Sequence, residues 1–393
     1  MNVIDSIAAH APTMAALRRD IHAHPELCFE EVRTADLVVK KLADWGIPVH
    51  RGLGTTGVVG IVHGRDGGAC GRGIGLRADM DALPMQEFNT FAHASQHAGK
   101  MHACGHDGHT AMLLSAARHL AATRHFDGIV HAVFQPAEEG LGGARKMLED
   151  GFLDLFPCDA MFGMHNGPGI PEGQFMAVPG CAMASADTCI ITIQGVGGHA
   201  AFPHNAVDPI LVGSALVMAL QSIVSRNVPP LQTGIISLGA FLAGDAPNVI
   251  PGSAELRLSV RAMQPEIRDL LERRIHEIAN AVAQTYGATA DVNYMRRYPV
   301  LMNDPTQTAF CLDLVRDWLG ETGVVPHPEP VPASEDFAFF LEKVPGCFIN
   351  IGNGVGSVGG CMVHNAGYDF NDRILSTGAT YWVKLVERWL AKV

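Results

Sequence analysis

The chain has no pair of cysteines at the C-x-x-C spacing, although it holds nine cysteines in 393 residues. An odd number, scattered at 28, 70, 104, 158, 181, 189, 311, 347 and 361, argues against a disulfide framework or a zinc ribbon. A reducing cytoplasm is the expected compartment. No apolar run reaches the roughly 18 residues of a membrane helix, and the first 16 residues lack the apolar core of a signal peptide. Charge is sparse, at 17% of residues, and its balance is −12, which excludes a surface built for nucleic acid. No internal repeat and no low-complexity tract is present. What remains is a globular composition, 48% hydrophobic, in a chain too long for one ordinary core, so two domains are expected.

The pattern of elements divides the chain in the same way. Residues 14–24 and 34–45 read as helices, and 57–62 and 73–77 as short apolar strands. A helix follows from Thr110 to Ala121, then buried strands at 128–134 and 160–164. Alternation of strands with helices implies a mostly parallel sheet. From about Ala184 the order becomes strand 188–193, helix 207–225, strands 233–243 and 254–261, helix 265–287 and strand 288–294. That βαββαβ order is ferredoxin-like. After Tyr298 the first pattern returns, with helices at 306–319 and 377–391, a strand at 347–352 and a Gly-rich loop at 352–360. The expected architecture is an α/β catalytic domain (1–184 and 295–393) carrying an inserted α+β domain (185–294).

Side chains that bind metals or move protons gather at the ends of these strands. Three histidines, a cysteine and an aspartate lie within the eight residues His102 to His109, on a turn that runs into a helix. Cys thiolate, neutral imidazole and carboxylate are the groups that hold Zn²⁺ and similar ions. Asp79 and Asp81 follow one strand, Glu138 and Glu139 a second, His165 and Asn166 a third. An isolated Asp-x-Asp also serves as a solvated turn. Adjacent acids after a buried strand are costly unless a metal or a reaction uses them.

Six motifs in order resemble the M20 metallopeptidase family, in its branch of aminoacylases, hippurate hydrolases and indole-acetyl-amino-acid hydrolases. They are Arg77 to Pro84, His102 to His109, Pro136 to Gly140, Gly197 to Ala201, Ser334-Glu335-Asp336 and His364-Asn365. The resemblance implies a two-metal amidohydrolase with an inserted lid or dimerisation domain. It would cleave the amide of a small N-acyl amino acid, as a homodimer or a dimer-based tetramer, with no membrane or nucleic-acid partner. Carried over position by position, the metal ligands are Cys104, His106, Glu139, His165 and His364. Glu138 is the general base and Asp81 its partner. Arg261, with Asn248 nearby, would bind the substrate carboxylate, and His199 would serve the active site of a partner subunit. Many relatives have His where Asp79 stands, which leaves open whether Asp79 binds metal and which group bridges.

The mixed S, N and O donors suit two ions of Zn²⁺, Mn²⁺, Co²⁺ or Ni²⁺. In an extended strand end Glu138 and Glu139 point opposite ways, so one acid binds metal while the other faces substrate; the alternative is that both are ligands. Cys104 as a nucleophile, with His106 or His109 as its base, is a rival reading. Arg261 paired only with Glu266, and His199 capping the helix near Val207, are the structural alternatives at those positions. The rival functions are a dipeptidase or a deacylase of a biosynthetic N-acyl intermediate, and a metal-binding protein without catalysis.

Overall fold

The computed structural model describes residues 3–356 and 359–392. The expected Gly-rich loop therefore lies partly outside the described residues, at Ser357 and Val358. The main elements in chain order are α1 (Ala11–Ala23), α2 (Val32–Asp44), β1 (Val49–Leu53), β2 (Gly57–His63), β3 (Gly73–Asp79), α3 (His106–Thr123), β4 (Ile129–Gln135), β5 (Ala160–Pro168) and β6 (Phe175–Met176). Then follow β7 (Ala186–Gln194), α4 (Pro209–Arg226), β8 (Gly234–Leu242), β9 (Ser253–Ala262), α5 (Pro265–Thr285) and β10 (Thr289–Tyr298). The chain closes with α6 (Pro305–Leu319), β11 (Gly346–Gly354) and α7 (Leu375–Trp389).

Two compact units result. The first comprises Met1–Gly180, Met302–Glu329 and Asp336–Val393. Its seven-stranded sheet has the order β1-β2-β4-β3-β5-β11-β6. The four inner strands β4, β3, β5 and β11 are parallel, and the flanking strands are antiparallel. All seven residues of β3 are buried, as a parallel strand covered on both faces requires. α3 buries residues all around its axis from His106 to Ala117, so it is a core helix rather than an amphipathic surface one. Parallel strands bring their C-terminal ends to one edge of the sheet, and there Asp79 stands beside Gln135 in register.

The second unit comprises Cys181–Leu301 and Pro330–Glu335. Its antiparallel sheet has the order β8-β9-β7-β10, which is the ferredoxin-like arrangement of a βαββαβ chain. Burial alternates along β7, and α4 and α5 pack Leu216, Leu220, Leu271 and Ile275 into one core with Ile191 and Leu256. Its bounds differ from those read in the sequence. β10 runs on to Tyr298 because Met295 and Arg296 stay paired with Thr188 and Asp187. The Arg296 charge on this extension is answered by Asp269 and Glu272. The expectation of no membrane-length apolar run also needs correction. Among the described residues one helix, α4, is long and apolar enough to cross a membrane, by length and composition only.

Candidate metal centre and active site

The metal loop turns at Gly105, whose φ of +93° is a conformation L side chains rarely adopt. A Cβ there would also lie 2.2 Å from Asn166 Oδ1 and 2.6 Å from the Tyr368 hydroxyl. The turn delivers Cys104 and then starts α3 at His106, so His106 and His109 sit three apart on one helix face. Nδ1 of His106 bonds to Asp81 Oδ1 at 3.1 Å, and its Nε2 is buried with no hydrogen-bond partner among the described residues. On β5, Nδ1 of His165 bonds to the Asn166 carbonyl at 2.7 Å, while its Nε2 faces Cys104 Sγ at 3.3 Å.

Glu138 and Glu139 do not extend a strand. β4 ends at Gln135, Ala137 has φ of +53°, and the two acids sit in the turn that follows. Alternation along an extended backbone therefore cannot separate their roles. What fixes Glu139 is its own N–H, which donates to Asp81 Oδ2 at 2.9 Å. Its Oε1 lies 4.0 Å from His106 Nε2 and 3.2 Å from His364 Nε2. His364, at φ of +59°, is held by its N–H on the Ala103 carbonyl at 2.7 Å. Asp81 was expected beside Glu138; the structure gives its oxygens to His106, the Glu139 backbone and the Cys28 thiol.

The five expected ligands come together. Donor atoms of Cys104, His106 and His165 lie within 4.8 Å of one another, as do those of Cys104, Glu139 and His364. Glu138 joins His106 and Glu139 in a third such group, and Asp79 joins His106 and His109 in a fourth. The electrostatics fit a cation. Burial and the carboxylates of Glu139, Glu138 and Asp79 push the Cys104 thiol well above its ordinary range. Burial opposes charge on His106, yet Asp79 and Asp81 raise it to about 10. Burial and the neighbouring His109 push His165 far down, which keeps it neutral. A thiol, an imidazole nitrogen without a partner and a neutral imidazole crowded against carboxylates are the surroundings a divalent ion needs and would reorganise. They make Cys104 a poor free nucleophile, and the imidazole against it is His165, not His106 or His109.

The candidate residues of the second unit are of another kind. His199 is exposed; its Nδ1 accepts the Ala201 N–H at 3.1 Å, and its ring meets Phe202 edge-on. It does not cap the following helix, whose N-cap is Asp208. Asn248 is exposed, and its carbonyl accepts the Ala200 N–H at 3.1 Å, so His199 and Asn248 lie at one short two-stranded antiparallel ladder. Arg261 does not pair with Glu266; its guanidinium donates to the Pro332 carbonyl at 3.1 Å. Nor is it near Asn248 within one chain: eight residues of β9, about 27 Å of extended strand, separate Ser253 from Arg261.

Several residues inside the motifs are given no role by the sequence. Arg77 is buried and bonds Asp79 Oδ2 at 2.6 Å, Gln135 at 2.8 Å and Asp336 at 3.0 Å. Asp107 is likewise buried, and bonds His22 at 2.9 Å and Arg18 at 3.3 Å. Their partners are up to 259 residues away, so the motifs show these residues but no local pattern could reveal their pairing.

Peptidase family M20/M25/M40 matches residues 75–388. The hippurate hydrolase of Campylobacter jejuni is 42% identical over 392 residues, covering 99% of this chain and all of that one. An N-acetylcysteine deacetylase of Bacillus subtilis is 38% identical over 94% of both chains. A crystal structure of a Bacillus subtilis dinuclear metal binding peptidase from the M20 family superposes with a TM-score of 0.84 at 33% identity, covering 98% of this chain and 99% of the other. With that span matched and the donor groups assembled, the chain belongs to peptidase family M20/M25/M40.

Proposed function

We propose that the protein is a metal-dependent amidohydrolase that cleaves N-acyl amino acids to a carboxylic acid and a free amino acid. One observation carries the reading: Cys104, His106, Glu139, His165 and His364 converge with Glu138 beside them. These five would hold two divalent ions, and the thiolate with three imidazoles favours Zn²⁺, Mn²⁺, Co²⁺ or Ni²⁺. When bound, the ions supply Lewis acidity to the scissile carbonyl and make water acidic near neutral pH. Glu138 takes the proton of the attacking water as its oxygen bonds to carbonyl carbon. The same carboxyl then delivers that proton to the amine nitrogen as the C–N bond breaks. Asp81 and the Asn166 carbonyl fix His106 and His165 through Nδ1, which leaves both Nε2 lone pairs for metal.

The second unit would supply substrate contacts. Arg261 has no carboxylate partner among the described residues and offers a fork for the substrate carboxylate. His199 would donate to the developing oxyanion of a partner subunit, with Asn248 beside it. A homodimer through the second unit is supported by Leu211 and Met218 on α4, 56% and 73% exposed, and by β8, whose outer edge is unpaired among the described residues. A cytoplasmic setting is supported by nine free cysteines. The test is amine release from hippurate, N-acetyl amino acids and a free dipeptide, with and without chelator. Cleavage of the dipeptide alone would replace this reading with a dipeptidase.

A further inference from the structure

Asp79 is the acid at the metal centre whose role the ligand geometry leaves undecided. Its donor atom groups with His106 and His109, and its Oδ2 lies 3.7 Å from His106 Nε2. Yet both its oxygens are already engaged. Oδ2 takes a 2.6 Å bond from the Arg77 guanidinium, and Oδ1 a 2.6 Å bond from Nδ1 of His109. All three side chains are buried to within about 1%. Arg77 cannot retreat, because Gln135 and Asp336 hold its other nitrogens and the Phe337 ring lies 5.8 Å away.

The chain of bonds continues past His109. An ionised Asp79 keeps the His109 proton on Nδ1, which leaves Nε2 as an acceptor. The backbone N–H of Asn166 donates to that Nε2 at 3.0 Å. The carbonyl of the same Asn166 accepts from Nδ1 of His165 at 2.7 Å. The Asn166 side chain closes the arrangement: its Oδ1 lies 2.8 Å from His109 Nε2 and its Nδ2 donates to the Tyr368 hydroxyl at 2.7 Å, so an acceptor Nε2 requires the amide to be turned over. Read with its nitrogen toward His109 and its oxygen toward Tyr368, the amide satisfies both neighbours. The rings of His109 and His165 lie 4.4 Å apart.

Resting on the metal-centre reading above, we propose that Arg77, Asp79 and His109 form a buried positioning triad that fixes Asn166 and, through its carbonyl, the orientation and tautomer of His165. Asp79 is committed to this triad and is not a metal ligand. The Asp79 carboxylate sets the His109 tautomer; His109 sets the Asn166 peptide; the Asn166 carbonyl takes the Nδ1 proton of His165 and leaves Nε2 bare. None of the three triad members touches substrate in this scheme.

The test reads metal binding, not turnover. Co²⁺ affinity is measured by competition with a chelating indicator, with the thiolate–cobalt absorption of Cys104 as a second signal. His109→Ala should weaken one of the two ions about 10–100-fold, the usual effect of losing such support. His109→Gln, whose amide oxygen can accept the Asn166 N–H, should recover most of that loss. Asp79→Asn should resemble His109→Ala, because its amide would donate toward His109 and force the wrong tautomer. The double variant should bind no worse than the weaker single, since the groups act in series. Unchanged affinity in a folded His109→Ala protein would overturn the proposal. So would an Asp79→Asn protein that loses one ion outright, with its effect multiplying that of His109→Ala; Asp79 would then be a ligand. Should His109→Ala fail to fold, His109→Gln and Asp79→Asn still decide between these outcomes. A wild-type protein that binds no Co²⁺ would overturn the metal-centre reading itself, which separates the two failures.

Discussion

Histidines are placed in opposite ways in the two units. In the first unit Asp81 and the Asn166 carbonyl face Nδ1 of His106 and His165, so each ring holds a proton on Nδ1 and turns Nε2 toward the metal site, where a bound ion would displace any proton from His106 Nε2. In the second unit the Ala201 N–H occupies Nδ1 of His199, so the proton is left on Nε2. The first arrangement makes a metal ligand, the second a hydrogen-bond donor. Burial follows the same division: His106 is buried and His199 exposed. A side chain's role is thus set by what holds its other nitrogen, which composition and motif do not show.

The largest effects should come from the first unit. Chelation should abolish hydrolysis, and full activity in metal-free protein would break the comparison at its base. Glu138→Gln should keep both ions and lose about 10²–10⁴ in kcat, the range of a general base. Glu139→Gln should lose metal first, measured by elemental analysis. Metal loss confined to the Glu138 variant would show the two roles reversed.

On the second side, His199→Ala should cost roughly 10²–10³ in kcat with metal content intact, as for the loss of one oxyanion donor. Because the donor is assigned to a partner's site, mixing His199→Ala with Glu138→Gln should restore a fraction of the activity. One hybrid site then has both residues intact. Hybrid dimers that form and stay inactive would confine His199 to its own chain or to no role.

Much of this was legible in the sequence, and what was not has a common cause. The ferredoxin-like unit could be read because β7 alternates and α5 carries Pro265 at its start and apolar residues at helical spacing. The residues alone show a metal-type cluster around Cys104 and His106 and acids after a strand; the ligand set itself is implied by the family resemblance. The turn at Ala137 was not legible, since a non-glycine residue at positive φ has no signature. The Arg77–Asp336 pair was not, because it joins residues from opposite ends of the chain. The apolar length of α4 is masked in the sequence because Gly213, Ser214 and Gln221 interrupt it without charging it.

A buried histidine behind the metal loop, bonded to Asp107, extends the comparison to stability. Burial opposes charge on His22, but Asp107 and Glu87 overcome it and raise its pKa from the ordinary 6.5 to about 9. The folded value exceeds the unfolded one. The contribution is therefore full below pH 6.5 and is lost as pH rises through 9. It is on the order of 3 kcal/mol. The urea midpoint of the wild type should fall between pH 7 and 9.5, and that of His22→Asn should start lower and stay flatter. Parallel curves for the two proteins would remove His22 as the source.

The smallest effect expected is at Arg261, and it tests the exposed side of the comparison most sharply. The buried cations Arg18 and Arg77 are each answered by carboxylates within the chain. Among the described residues Arg261 has only a neutral carbonyl, that of Pro332, so its charge is left for a ligand. An N-acyl amino acid brings one carboxylate, and a charged hydrogen bond to it contributes about 1.5–3 kcal/mol. Arg261→Ala should accordingly raise KM for the acid about 10–100-fold. The methyl ester has the same acyl group and the same scissile amide but no charge, so its KM should barely move. Arg261→Lys should recover part of the loss, because the charge remains while the two-pronged geometry is gone. Equal losses for acid and ester would mean that Arg261 only steadies the Pro332 loop, and the contrast between answered and unanswered cations would then carry no functional weight.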